Sequence, residues 1–252
     1  MEEIVVSITK KAVETKLTTS LLELLSNEGF ALKKKDKTIV RKTKTGFEDF
    51  YFRVLNYWPY CTEIETIGFS IRFNAVEEII APIEVKNGIR ASMEFAKTST
   101  TVGDWREFNI KIFNGTELDN FIDVHINKIK EDGLSFFSKY GDIYNTNVYY
   151  KNRVLNDKDD LHVEWDWHPI ANSLTLMKLC DDKDFDEIKI KYRQMLETRY
   201  RQIEDLTHEK QWQEERAFAA YDDLVEYLSA PSLDVASTLR RAKRRLPVCT
   251  RE

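Results

Sequence analysis

The chain has 252 residues, a mass of 29.7 kDa and a formal net charge of −5, with 42% apolar and 12% aromatic residues. This composition excludes an intrinsically disordered chain, and the length is sufficient to bury a core without metal ions or disulfides. No apolar run approaches the roughly 18 residues of a membrane-spanning helix, and the three cysteines have no paired spacing. The N-terminal MEEIVVSITKK has acidic residues where a signal peptide has basic ones. The sequence therefore predicts a cytoplasmic protein with free thiols.

The first half of the chain has the pattern of a helix followed by strands. Leucines at helical spacing predict a helix from Lys11 to Asn27, which stops at Gly29. Alternating apolar residues then predict six strands. These candidate strands span 29–35, 38–43, 47–56, 64–73, 89–97 and 105–113. Alternation places Ile67, Phe69 and Ile71 on one face of 64–73, and it places Tyr51, Arg53 and Glu107 on the less apolar faces of 47–56 and 105–113. A short helical turn at 76–80 is expected to end before Pro82.

The second half has helical spacing. Thr116 and Asp119 resemble a capping box, and a helix is predicted over 116–131, ending at Gly133. A buried helix is predicted over 171–179. The residues 184–230 contain no Gly or Pro, and a helical hairpin with a break near Thr207 is favoured over a single helix of about 69 Å.

These elements predict an α+β fold, with an antiparallel sheet of five or six strands packed on helices and a helical C-terminal part. Two domains are expected, an α+β sheet domain at 1–150 and a mainly helical region at 151–252.

Several enzyme classes lack their motifs in this sequence. The glycine spacings fit neither a P-loop nor a dinucleotide fingerprint, and there is no G-x-S-x-G elbow. Accordingly, no cofactor is predicted.

One cluster leaves a metal-assisted hydrolase or nuclease-like enzyme open as an alternative. On a strand, four potential ligands would point to one side, opposite Trp165 and Trp167. They are His162, Glu164, Asp166 and His168. Asp182, Asp184 and Asp186 match three calcium-loop positions, but the positions that require Gly and Glu do not match, which favours a helix N-terminus.

A basic C-terminal tail provides a second alternative, contact with nucleic acid. Its positive side chains could supply the salt-dependent attraction to phosphates. They are Arg240, Arg241, Lys243, Arg244 and Arg245.

Acidic and aromatic residues favour a protein partner. The stretch 155–187 has ten Asp/Glu and three Lys, a net charge of −7, and a Trp-Pro-Tyr corner occurs at 58–60. Trp and Tyr are frequent interface hot spots, and an acidic surface attracts a basic partner. The candidate partner-binding residues are Trp58, Tyr60, Asp159, Asp160, Glu164, Trp165, Asp166 and Trp167.

A resemblance to known families also bears on the fold and the function. It is carried by Leu21-Leu22-Glu23-Leu24-Leu25, Gly29-Phe30, Phe50-Tyr51-Phe52-Arg53-Val54, Ile67-Gly68-Phe69-Ser70-Ile71 and Phe136-Phe137-Ser138-Lys139-Tyr140. This pattern, over about residues 17–145, resembles small bacterial cytosolic families of unknown function that include immunity-like proteins. No Pro precedes Phe136, which departs from the pattern of those families. The resemblance implies an α+β fold without established catalytic residues.

The leading functional prediction is therefore a non-enzymatic protein-binding protein of the immunity type, which masks a basic partner such as a toxin. Neither a membrane nor a nucleic acid is its expected partner, and the oligomeric state is left open.

Overall fold

The structure is a computed structural model that describes residues 8–34, 38–57, 59–91, 101–156, 167–201, 208–230 and 237–239. It confirms the predicted α+β class, with five strands among the described residues. The strands are β1 (Ala31–Lys33), β2 (Thr38–Lys42), β3 (Gly46–Tyr57), β4 (Cys61–Phe73) and β5 (Val102–Ile112). The helices are α1 (Lys10–Leu25), α2 (Asn74–Lys86), α3 (Gly115–Tyr140), α4 (Ile143–Asn156), α5 (Trp167–Leu179), α6 (Phe185–Arg201) and α7 (His208–Ser229).

Internal contacts divide the chain into two compact units. The first contains Met1–Ile71 and Val102–Gly141, and the second contains Arg72–Thr101 and Asp142–Glu252. The division is therefore not a single cut near residue 150. Helix α2, although it lies within the first 150 residues, belongs with the later helices.

The sheet of the first unit has the order β1-β2-β3-β4-β5, so each strand lies beside its sequence neighbour. Antiparallel pairing places Ile39 opposite Phe50, and Ile64 opposite Ile110. The predicted strand at 89–97 is not observed where the chain is described, because residues 89–91 form a bend. The rest of that segment, 92–100, lies outside the described residues.

Two helices form the layer on one face of this sheet. Helix α1 contacts α3 and the first three strands, while α3 contacts β5. The start of α3 differs from the predicted capping box, because the cap is Asn114 rather than Thr116. The Asn114 side chain accepts a hydrogen bond from the Glu117 amide at 3.0 Å, and the Glu117 carboxylate accepts one from the Phe113 amide at 2.7 Å. The pair of contacts resembles a capping box two residues earlier, except that Glu117 accepts from Phe113 rather than from the amide of the cap residue Asn114.

Gly133 does not end α3, contrary to the sequence-based prediction. The helix continues to Tyr140, and Gly133 is buried against the ring of Phe50. A Cβ at Gly133 would lie 2.2 Å from Cε1 of Phe50. The glycine therefore permits close approach of helix and sheet around a core of aromatic rings. These rings belong to Phe30, Phe50, Phe69, Phe136 and Phe137.

The second unit is helical, and α5 lies at its centre. Helix α5 contacts α2, α4, α6 and α7, and most of its residues are buried. Helix α2 continues past Pro82, so the predicted end before this residue is wrong. Pro82 itself is exposed, whereas Ile79, Ile80 and Ile83 around it are buried. Packing of these residues outweighs the local cost of the proline.

Helices α6 and α7 pack against each other, as the predicted hairpin requires. The Tyr221 hydroxyl donates to the Lys189 carbonyl at 2.6 Å, and the Arg193 guanidinium lies 4.4 Å from the Phe218 ring centroid. In one continuous helix, Lys189 and Tyr221 would be about 48 Å apart. The chain therefore turns back between these helices, although Thr207, the predicted break, lies outside the described residues.

Candidate functional site

The candidate site is an open groove of about 470 Å³ in the first unit. Three neighbouring strands contribute to it: β3, β4 and β5. We name it the sheet groove. Its lining residues are Tyr51, Arg53, Glu65, Thr66, Trp105, Glu107 and Asn109.

The sheet groove lies on the sheet face opposite α1 and α3. Residues paired across strands share a face, and Trp105 is paired with Gly68. The neighbouring pair, Ile67 and Arg106, points to the other face, where Arg106 lies 3.3 Å from Asp132 of α3. Trp105 therefore points away from the helices, and 54% of its surface is exposed.

Gly68 lies beneath the Tyr51 ring, which lines the sheet groove. The Tyr51 side chain crosses β4 directly above this glycine, where a Cβ would lie 2.1 Å from Cζ of Tyr51. Any larger residue at this position would displace the ring. Because Trp105 lies opposite Gly68, the glycine brings the two aromatic side chains to one part of the sheet.

An irregularity in the pairing of β4 with β5 shapes the part of the groove that Glu65 and Asn109 line. The pairing of Ile64 with Ile110 is followed by that of Thr66 with Glu107, so one residue lies between the two pairs on β4 and two lie between them on β5, which therefore has one extra residue. Asn109, within this step, has a positive φ of 50°. Bulges of this kind redirect side chains locally. Here the step lies at Glu65 and Asn109, both of which line the groove.

The positive and negative charges that line the sheet groove do not balance. Arg53 Nε lies 2.5 Å from Glu65 Oε2, so these two side chains neutralise each other. Glu107 is exposed and has no ion pair among the described residues. Burial raises the pKa of Tyr51, with further contributions from the negative charges of Asp49 and Asp104, so its phenol is protonated at neutral pH. The sheet groove consequently has aromatic walls and one unpaired negative charge.

A second notable cluster lies in the helical unit, around the fully buried carboxylate of Glu84. Arg90 Nε donates to Glu84 Oε2 at 2.6 Å, and Trp167 Nε1 donates to Oε1 at 3.0 Å. His168 Nε2 lies 3.2 Å from the same Oε1, and Glu77 Oε2 lies 3.5 Å from Arg90 Nη2. Burial of such charges requires pairing of this kind. The cluster joins α2 to the start of α5.

Two of the predicted site residues therefore lie at Glu84. Trp167 is only 5% exposed, which corrects its assignment to an exposed partner-binding surface. His168 lies in helix α5, which corrects its placement on a strand with His162. Of the predicted aromatic corner, Tyr60 is 77% exposed, as a binding residue requires.

The other predicted site residues lie outside the described residues, and their assignments stay predictions. For partner binding these are Trp58, Asp159, Asp160, Glu164, Trp165 and Asp166. For the metal alternative they are His162, Glu164 and Asp166. For the nucleic-acid alternative they are Arg240, Arg241, Lys243, Arg244 and Arg245.

Within the described part of the chain, no group of three or more His, Cys, Asp or Glu residues has the arrangement of a metal site. The aspartates before and within the first turn of α6 are paired with lysines. Lys151 Nζ lies 3.2 Å from Asp182 Oδ1 and 2.7 Å from Asp184 Oδ2, and Lys189 Nζ lies 2.6 Å from Asp186 Oδ1. This supports their interpretation as part of a helix N-terminus.

Sequence reasoning assigned Tyr51, Arg53 and Glu107 to the less apolar sides of their strands but did not combine them into a site. The missing information was the pairing of β3, β4 and β5. Trp105, the most exposed aromatic residue lining the sheet groove, was not singled out.

No family model, curated protein or solved structure matches the chain. Among the described residues, no helix combines the length and apolar character needed to cross a bilayer. The function must therefore be inferred from the geometry of the sheet groove.

Proposed function

We propose that this chain is a non-enzymatic protein-binding protein that holds a basic partner at the sheet groove. The observation that carries the proposal is the exposed indole of Trp105 beside the unpaired carboxylate of Glu107. Large aromatic residues contribute much of the binding energy at interfaces, and an unpaired carboxylate attracts a positive partner.

The neighbouring hairpin extends this surface. Side chains alternate along β3, so Tyr57 lies on the same face as Tyr51 and Arg53. Tyr57 and Tyr60 are both exposed at the β3–β4 turn. A partner that covers the groove and the turn would bury at least three aromatic side chains, including Trp105.

The residue types of the groove favour binding over catalysis. Its lining, where the chain is described, includes neither His nor Cys, and Glu65 is neutralised by Arg53. A general base must reach a reacting proton, and a nucleophile needs an adjacent base. An aromatic wall with one free carboxylate instead suits the recognition of a cation.

We further propose the finer form of this function: a bacterial, cytoplasmic inhibitor of the immunity type that masks a basic toxin. Two features of the sequence support it, the resemblance over about residues 17–145 and the net charge of −7 in residues 155–187. The sheet groove would supply the aromatic contact, and the acidic stretch would add long-range attraction for a basic partner.

Site-specific photocrosslinking tests the proposal. A photoreactive phenylalanine analogue at position 105 should give a discrete adduct with a basic protein in the native cell. The same analogue at Val124, an exposed position on α3 of the same unit, serves as the matched control. With the purified partner, Trp105→Ala should weaken binding by about 2 kcal/mol or more, roughly 30-fold in Kd.

Two results would count against the proposal. The first is that position 105 gives no adduct beyond those that position 124 also gives. The second is that the Trp105→Ala variant binds the partner with full affinity. The immunity form has its own readout, because the wild-type chain should suppress the partner's toxicity in co-expression and Trp105→Ala should not.

A further inference from the structure

Resting on this proposed function, we propose that the sheet groove is a subsite for a single arginine side chain of the partner. Charge sets the number of cations that it accepts. Of the three charged side chains that line it among the described residues, Arg53 and Glu65 are paired at 2.5 Å, which leaves Glu107 to balance a ligand charge. One cation fits this balance, whereas a second would face the guanidinium of Arg53.

The walls of the groove favour a flat cation. The Tyr51 ring lies across the sheet above Gly68, and Trp105 is paired with that glycine across β4 and β5. A planar guanidinium can stack on an indole or phenol ring while its edge donates to a carboxylate. Glu107 lies two residues after Trp105 on β5, on the same face, so its carboxylate is available to the edge of a stacked group.

Arginine is favoured over lysine for two reasons. The guanidinium offers a bidentate pair of hydrogen bonds to a carboxylate, whereas the ammonium acts as a point charge. The ammonium of lysine is also the more strongly hydrated of the two groups, so contact with the aromatic rings costs it more hydration. Protonated Tyr51 adds no competing charge.

The binding of three matched five-residue peptides tests this inference. Each peptide has glycines around one central residue, which is arginine, lysine or the neutral isostere citrulline. The readout is the NMR shift of the Trp105 indole N–H, assigned by comparison with Trp105→Phe. The arginine peptide should produce a saturable shift, the lysine peptide should bind at least about fivefold more weakly, and the citrulline peptide should produce no saturable shift.

Two variants locate the counter-ion. Glu107→Gln should weaken binding of the arginine peptide about tenfold, because a charge-assisted hydrogen bond is lost. Asp123→Asn removes an exposed carboxylate from α3, on the other side of the sheet, and should leave the affinity unchanged. Equal losses for both variants would mean that only net charge matters, which would overturn the inference.

The peptide results separate this inference from the proposed function. Equal affinity for arginine and lysine, or binding of citrulline, would overturn the arginine subsite. So would the absence of any saturable shift while the position-105 crosslink still captures a basic protein. In each of these cases the proposed function would stand, because it is tested separately by the crosslinking and partner-binding measurements.

Discussion

Replacing Gly133 with Ala should destabilise the first unit, even though alanine is the better helix former. Gly133 lies inside α3, where Gly→Ala usually stabilises a helix by about 1 kcal/mol. The new Cβ, however, would lie 2.2 Å from Cε1 and 2.4 Å from Cζ of Phe50. Such distances cannot persist, so either the ring or the helix must move.

The Phe50 ring has little space in which to move. It is fully buried, and its centroid lies 5.4 Å from that of Phe30, 5.8 Å from Phe69 and 5.2 Å from Phe137. Overpacking of such a core costs about 1–3 kcal/mol. After the gain in helix propensity is subtracted, we expect a net decrease in the free energy of unfolding of up to about 2 kcal/mol.

Urea denaturation followed by circular dichroism would measure this change, with Gly115→Ala as the control on the same helix. No atom lies within 4 Å of the position of a Cβ at Gly115, so that substitution should be neutral or slightly stabilising. In the double variant Gly133→Ala/Phe50→Leu, the smaller side chain should make the added methyl less costly. If Gly133→Ala stabilises the protein as much as Gly115→Ala does, the proposed close packing is wrong.

Three further substitutions or reactions test other parts of the structure. Burial raises the pKa of Asp49 to about 6, above its ordinary value of 3.8, despite a hydrogen bond from Ser70. The folded state therefore binds a proton more tightly, and wild-type stability should fall as the pH rises from about 4 to about 6. Asp49→Asn should raise the free energy of unfolding by up to about 3 kcal/mol at pH 8 and by little at pH 4, whereas a pH-independent difference would contradict this reasoning. Glu84→Gln should cost roughly 3–5 kcal/mol because it leaves the buried Arg90 undercompensated, and Glu84→Gln/Arg90→Gln should recover part of that loss. A coupling energy below about 1 kcal/mol in this double-mutant cycle would refute the buried pair. Burial raises the pKa of the Cys180 thiol to about 12, so native protein should be alkylated at this residue far more slowly than urea-unfolded protein when peptides are mapped after treatment at pH 8.

Local patterns in the sequence were sufficient for most of the elements. Alternation in 64–73 predicted that Ile67, Phe69 and Ile71 share a face, and all three are buried. The leucine spacing before Gly29 predicted α1 to within two residues at either end. Both predictions succeed because the side-chain period of a strand or a helix is a local property of the backbone.

Local rules failed where distant residues compensate for an unfavourable one. Gly133 and Pro82 are both helix-breaking signals, yet both lie inside helices. At Gly133 the lack of a side chain leaves room for the Phe50 ring. Around Pro82 the packing of buried isoleucines stabilises the helix. Tertiary packing therefore outweighed the local preference in each case.

The candidate site separates the information held in the local sequence from that held in the tertiary structure. The period of two assigned Tyr51 and Glu107 to particular faces of their own strands, because that assignment depends only on neighbouring residues. Which strands meet, and in which register, was decided by the packed sheet, where the step between Ile64 and Thr66 brings Glu107 opposite Thr66. A single residue of slip would turn these side chains to the other face, so the groove exists only once the long-range pairing of β3, β4 and β5 is complete.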